Sequence, residues 1–164
     1  MLTVGSKVVY PCQGPCLIGA VVQKIINDKP MSFYQLLVLN NGGANMLVPI
    51  DNVQAVGIRP LLKKSEIPEL LERLSQPARS SDDRKQRARD NLKLLASGSA
   101  FDLAEIVESL TELVETKPLS FGEQKTFEKA RTLLVYEISE VMGESQEAAE
   151  QQVNEALKAR KERS

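Results

Sequence analysis

The chain has 164 residues, of which 26% are charged and only 4% aromatic, with two Cys, no Trp, no His and a formal net charge of −1. Without His, the usual neutral-pH general base and the commonest metal ligand are both missing, and a chain that is acidic overall does not capture DNA unaided at physiological salt. The length fits one ordinary domain or two small ones, and a switch of hydrophobic period near Arg59-Pro60 favours two.

The first sixty residues read as strands. Lys7-Val8-Val9-Tyr10, Leu17 to Ile26, Phe33 to Leu39 and Asn45 to Val48 are rich in β-branched, aromatic and aliphatic residues. Turn chemistry separates them at Pro11-Cys12-Gln13-Gly14-Pro15, Asn27-Asp28-Lys29-Pro30 and Asn40-Asn41-Gly42-Gly43. From Leu17 to Ile25 apolar groups fall on both faces of the pleat, which suits a small curled sheet. Four or five such strands in this length make an SH3-like or Tudor-like barrel.

The remainder is helical, so the fold class is α+β, with a β module at residues 1–59 and about five helices over 60–164. A short helix, Ser65 to Leu74, leads in, and Gln76 to Ser81 is the most linker-like stretch. Ser80 or Ser81 opens a basic helix that runs to Ser97, with Ala88, Leu92 and Leu95 as its apolar stripe and Gly98 as its stop. Ser99 with Asp102 and Ser120 with Glu123 resemble capping boxes. The first precedes a stripe of Leu103, Ile106, Val107, Leu110, Leu113 and Val114 ending by Pro118. The second precedes Phe127, Ala130, Leu134, Ile138 and Val141, ended by Gly143. Ser145 starts a last helix through Ala149, Val153, Ala156 and Leu157, and the basic tail Lys158 to Arg163 is expected to fray.

Charge is unevenly spread. Residues 79–93 carry six basic groups against three acids, +3, whereas residues 101–150 carry twelve acids against four bases, −8. The basic helix is the strongest functional signal: Arg84 in its first turn, then Lys85, Arg87, Arg89 and Lys93 flanking the stripe, could straddle a duplex backbone. Acid pairs such as Glu112/Glu115 and Glu137/Glu140 read as solvated helix faces rather than catalytic carboxylates, since perturbed carboxylates need burial or close like charges. Cys12 and Cys16 have no His and no second thiol pair beside them, so a tetrahedral zinc site lacks ligands. A redox switch through these thiols ranks below simple packing at a strand–turn junction. No phosphate loop or nucleophile elbow is present, and neither an enzyme nor a cofactor is expected. The N-terminal residues lack the charged and apolar regions of a signal peptide, and no apolar run is long enough to span a bilayer. We therefore expect a cytoplasmic protein with reduced thiols, no membrane partner, and nothing in the pattern that demands more than a monomer.

Several segments taken together resemble the CarD/CdnL family of bacterial transcription regulators. They are Val8-Val9-Tyr10-Pro11 with Gly14, Val48-Pro49-Ile50-Asp51-Asn52-Val53 with Val56-Gly57-Ile58-Arg59, and Asn91-Leu92-Lys93-Leu94-Leu95-Ala96-Ser97-Gly98. Ala104-Glu105-Ile106-Val107, Leu119-Ser120-Phe121-Gly122-Glu123 and Lys129-Ala130-Arg131 with Leu133-Leu134 complete the order. The resemblance implies a Tudor-like N-terminal domain that binds the RNA polymerase β subunit by edge-strand pairing. It also implies a helical domain that contacts promoter DNA near the upstream edge of the transcription bubble and so modulates open-complex stability. Positions matching the polymerase contact are Lys24, Asn45, Met46, Leu47 and Val48, and several relatives carry Arg where this chain has Leu47. Family members commonly place a Trp at the start of the basic helix, where this chain has Arg84. An arginine can enter a narrow minor groove but cannot wedge a base step as an apolar ring does, which implies weaker open-complex stabilisation. The competing expectation is a protein–protein adaptor on polymerase whose helical half binds protein rather than DNA.

Overall fold

The computed structural model describes residues 2–39, 44–76 and 83–163, with side chains through residue 160. The expected turn at Asn40 to Gly43, all of the expected linker except Gln76, and the expected helix start at Ser80 or Ser81 lie outside the described residues. The chain forms two compact units, Met1–Leu61 and Leu62–Ser164.

In the first unit, β1 (Lys7–Tyr10), β2 (Gly14–Ile26), β3 (Lys29–Val38), β4 (Asn45–Pro49) and β5 (Arg59–Pro60) form one antiparallel Tudor-like sheet in the order β4-β3-β2-β1-β5. Strand β4 is therefore an edge. The β2–β3 turn is only Asn27-Asp28, both at positive φ (52° and 64°), the mirror-image turn whose twist suits a hairpin. Lys29 and Pro30, expected in that turn, already pair with Ile26 and Ile25. A register shift between Ile18 and Ala20 marks a bulge, which bends the strand. Before it β2 is buried; beyond it Val21 and Ile25 stand in solvent. The hairpin outruns the core, so apolar groups expected inside a barrel are partly outside it.

The core of this unit is Val8, Cys16, Ile18, Tyr34, Leu36, Val38 and Val48, largely alternate positions on one face of the sheet. A 3-10 turn (Ile50–Asn52) and α1 (Val53–Val56) close over it, with Ile50, Val53, Val56 and Ile58 packed against the cluster. Gly57 ends α1 in the left-handed region, φ 89°, a cap glycine adopts at no steric cost. That cap turns the chain so that Arg59 meets Val9 and Pro60 meets Val8.

The second unit holds α2 (Ile67–Leu74), α3 (Arg84–Ser97), α4 (Ala100–Val114), α5 (Phe121–Met142) and α6 (Gln146–Arg163). Helix α4 packs against α2, α3 and α5, and Leu70, Leu74, Leu103, Ile106, Leu110, Leu134, Ile138 and Val153 lie at the centre of the core. The caps follow the sequence signals. Ser99 accepts the Asp102 N–H at 3.4 Å, and Ser120 and Glu123 each accept the other's backbone N–H, at 3.2 and 3.3 Å. Gly98 and Gly143 stop α3 and α5 with positive φ. Helix α3 starts on Asp83, whose carboxylate accepts the Lys85 N–H at 3.0 Å.

Two charged groups depart from expectation, and a third, for which none was stated, is buried. Glu137, expected on a solvated face, is buried and accepts the Leu62 N–H at 3.0 Å. The C-terminal tail does not fray at its start: α6 runs to Arg163, and buried Arg160 pairs with Glu115. Glu108, in the middle of α4, is 0% exposed, and neither carboxylate oxygen has a hydrogen-bond partner. Burial pushes its pKa up to about 7 against the pull of Arg73 and Arg160.

Candidate functional site

The β unit presents two features to a partner: an edge strand and an outer sheet face. Along β4, Met46 and Val48 turn toward the core while Asn45 and Leu47 turn away, Leu47 being 39% exposed. Val48 is only 4% exposed; its side chain is core, and it can offer a partner no more than its backbone. The register puts Leu47 opposite Gln35, Pro49 opposite Phe33 and Asn45 opposite Leu37, while Lys24 lies opposite Met31. Paired residues share a face and β3 positions alternate, so Lys24, Leu47 and Asn45 stand on one face, opposite that of Tyr34 and Leu36. They are not clustered: six residues of β3, roughly 20 Å at strand rise, separate the positions of Lys24 and Asn45. Between them on this face lie half-buried Val22, Gln35 and Pro49 and buried Phe33, with Lys24 toward the hairpin end.

The helical unit offers a cationic seam. Ala88, Leu92 and Leu95 were expected inside; Leu95 does pack against the core, but Ala88 is exposed and Leu92 is 60% exposed, and the inward face of α3 is Arg87, Asn91, Leu94 and Leu95. The reason lies on α5. Glu123, held by its capping box, accepts from Arg87 Nε at 3.4 Å. Burial raises the Glu123 carboxyl, but the Ser120 hydrogen bonds and Arg87 outweigh it and hold its pKa below the usual range. Arg87, 8% exposed, is therefore turned in and does not stand beside the other expected DNA contacts.

The remaining expected cations of α3 are exposed. Lys85, Arg89 and Lys93 recur every four residues and form one exposed row along α3. Arg84 stands at its head, its Nε 4.0 Å from Glu123 and its side chain 68% exposed. Between α3 and the start of α5 runs a groove of about 450 Å³ lined by Arg84, Lys85, Ala88, Asn91, Leu92, Ser120, Gly122, Glu123 and Thr126. A second, shallower depression continues along the same two helices, lined by Leu95, Lys125, Thr126, Glu128, Lys129 and Thr132. Sequence reasoning missed the α5 contribution. Lys125 and Lys129 are four apart and off the Phe127/Ala130 stripe, a signal that was present but overshadowed by the acidic balance of residues 101–150. That balance overstates the surface charge, because Glu108, Glu123 and Glu137 are buried.

The two thiols are not joined in a disulfide and lie at the β1–β2 connection. Cys12 sits in the β1–β2 turn at φ 67°. Cys16 is fully buried, its Sγ donating to the Gly14 carbonyl at 3.5 Å, and burial pushes its pKa up to about 11, far from a reactive thiolate. Among the described residues no cluster of His, Cys, Asp or Glu could hold a metal ion, and no helix is long and apolar enough to cross a membrane.

A Tudor-like sheet with an open edge, followed by a helical unit with a cationic seam, defines a two-part binding protein built for macromolecular partners. Residues 2–62 match the CarD-like/TRCF RID domain and residues 69–154 match the CarD C-terminal domain. The chain belongs to the CarD family of transcription regulators, carries the RNA polymerase-interacting domain of that family, and has no identified catalytic domain. It is 23% identical over 147 residues, 87% of its length and 94% of the relative's, to the Bacillus subtilis (strain 168) protein named "Putative transcription factor YdeB". It is also 35% identical to the solution structure of the 72-residue N-terminal domain of Myxococcus xanthus CarD, covering 37% of this chain and 79% of that one with a TM-score of 0.31.

Proposed function

We propose that the β unit docks on the RNA polymerase β subunit through the β4 edge and the adjoining outer face, and that the α3/α5 seam then holds promoter DNA near the upstream edge of the bubble. Edge pairing supplies main-chain hydrogen bonds, and exposed Leu47 supplies apolar contact. Leu47 in place of a charged residue makes that contact apolar rather than ionic. The observation that supports the DNA half is that Arg84 and Lys85 of α3 line the groove against α5, and Lys125 and Lys129 of α5 line the depression that continues it.

About four neutralised phosphates give weak, steeply salt-dependent binding by the free protein. Docking on polymerase changes this by raising the effective DNA concentration to the order of millimolar for a short tether. A bias of about 1–2 kcal/mol toward the melted state shifts open-complex occupancy several-fold. The test is the lifetime of competitor-challenged open complexes with wild-type protein and with a Lys85→Glu/Arg89→Glu variant. Loss of the lifetime effect with polymerase binding intact supports the DNA contact. An unchanged lifetime effect refutes it and leaves the helical unit as a protein-binding adaptor.

A further inference from the structure

We infer that Arg160 is an exchanging arginine: it pairs with Glu115 at the rim of the helical unit while Glu108 holds a proton, and turns to Glu108 in the interior when that proton is lost. Four acids, Glu105, Glu108 and Glu112 of α4 with Glu115 at its C-terminal end, recur at steps of three, four and three residues and share one helix face. Arginines from two other helices reach that face. Arg73 of α2 lies 3.8 Å from Glu105, and Arg160 of α6 donates from Nη2 to Glu115. Glu108 falls between these pairs, fully buried, with neither oxygen hydrogen-bonded. The Arg160 side chain is also buried, and its Nε has no partner either.

A buried donor and a buried acceptor left unpaired each cost free energy that a mutual hydrogen bond recovers. Burial disfavours the Glu108 anion most strongly; Arg73 and Arg160 favour it, and Glu112 and Glu105 oppose it. From α3 and α5, which also pack on α4, the buried charged groups are Arg87, Glu123 and Glu137. The first two pair with each other and Glu137 accepts the Leu62 N–H, and none of the three is among the charges acting on Glu108. While Glu108 is neutral, ionised Glu115 is the stronger acceptor for a guanidinium. Once Glu108 ionises, an unpaired carboxylate in the interior costs more than releasing Glu115, whose side chain is 35% exposed and can be hydrated instead. Arginine suits the exchange because its planar fork carries several N–H donors and the Nε–H is unused. Glu108 stays buried throughout, so the exchange recovers only part of the cost of ionisation. Burial sets this titration near neutrality, at about 7, and the bond that changes is one that ties the end of α6 to the end of α4.

The experiment is NMR of the isotope-labelled full-length protein, titrated from pH 5 to pH 9 and read at the Glu108 Cδ and the Arg160 Nε–H. The Glu108 carbon is expected to titrate near neutrality, well above the ordinary carboxylate range. Over the same interval the Arg160 Nε–H is expected to move downfield as it gains a carboxylate acceptor. In Glu108→Gln that movement should vanish, with Arg160 held in its low-pH position throughout. A Glu108 carbon that titrates while the Arg160 Nε–H stays fixed overturns the exchange. Movement of the Nε–H to the same extent in Glu108→Gln overturns it too, because another group then drives it. So does a Glu108 midpoint in the ordinary carboxylate range. The wild-type titration decides the matter by itself should the variant fail to fold, since the two resonances must shift together.

Discussion

Glu108→Gln should stabilise the protein at pH 8 and do little at pH 5. The carboxylate is fully buried in α4 with no hydrogen-bond partner on either oxygen, and burial raises its pKa from an ordinary 4.5 to about 7. The folded pKa lies above the unfolded one, so the proton favours the fold. That contribution is complete below about pH 4.5 and is lost as pH rises through 7. Between pH 5 and pH 8 the wild type gives up about 2–3 kcal/mol from this group, at 1.36 kcal/mol per pKa unit. The neutral amide does not titrate, so its stability relative to wild type should rise by that amount across the interval. Urea unfolding at both pH values, followed by circular dichroism, measures it. An equal difference at pH 5 and pH 8 would refute the reasoning, because it would mean that Glu108 ionises in the fold as it does in water.

Three other perturbations have defined outcomes. Glu123→Ala removes the capping box and leaves the buried Arg87 guanidinium without this carboxylate, which should cost about 3 kcal/mol or more in urea unfolding. Leu47→Asp, at an exposed position of the β4 edge, should weaken polymerase binding about ten-fold or more in a titration while leaving the melting temperature unchanged. Gly122→Ala should raise stability by up to about 1 kcal/mol, since the added methyl meets open space and helix propensity improves. The same methyl narrows the groove and should reduce the open-complex effect in the lifetime assay.

The sheet was legible where sequence and structure share a local cause. β-Branched runs bounded by Gly, Pro and Asn marked β1 to β4, and the serine caps marked α4, α5 and α6. Strand β5 was not legible, because two residues carry no period and Arg59-Pro60 becomes a strand only by pairing with β1. The inward face of α3 was misjudged for a related reason. A 3.6-residue period assumes that apolar side chains go inside, but Glu123, 36 residues away, offers Arg87 a charge partner, and Ala88 with Leu92 is left outside. Glu108 and Glu137 escaped notice in the same way, since nothing local distinguishes a buried carboxylate from a solvated one. Of the expected site residues, Arg84 and Lys85 line the α3/α5 groove, Arg89 and Lys93 are exposed on α3 outside its lining, Arg87 and the Val48 side chain are internal, and Lys24 stands at the far end of the face that carries Leu47 and Asn45.

Photocrosslinking from two positions of the full-length chain tests the division of labour most directly. A benzoylphenylalanine replaces Leu47 in one sample and Lys85 in the other, each assembled with RNA polymerase on an open promoter. The expected result is a crosslink from position 47 to the β subunit and from position 85 to DNA just upstream of the melted region. A crosslink from position 85 to polymerase protein alone, or none from position 47 to the β subunit, would contradict it.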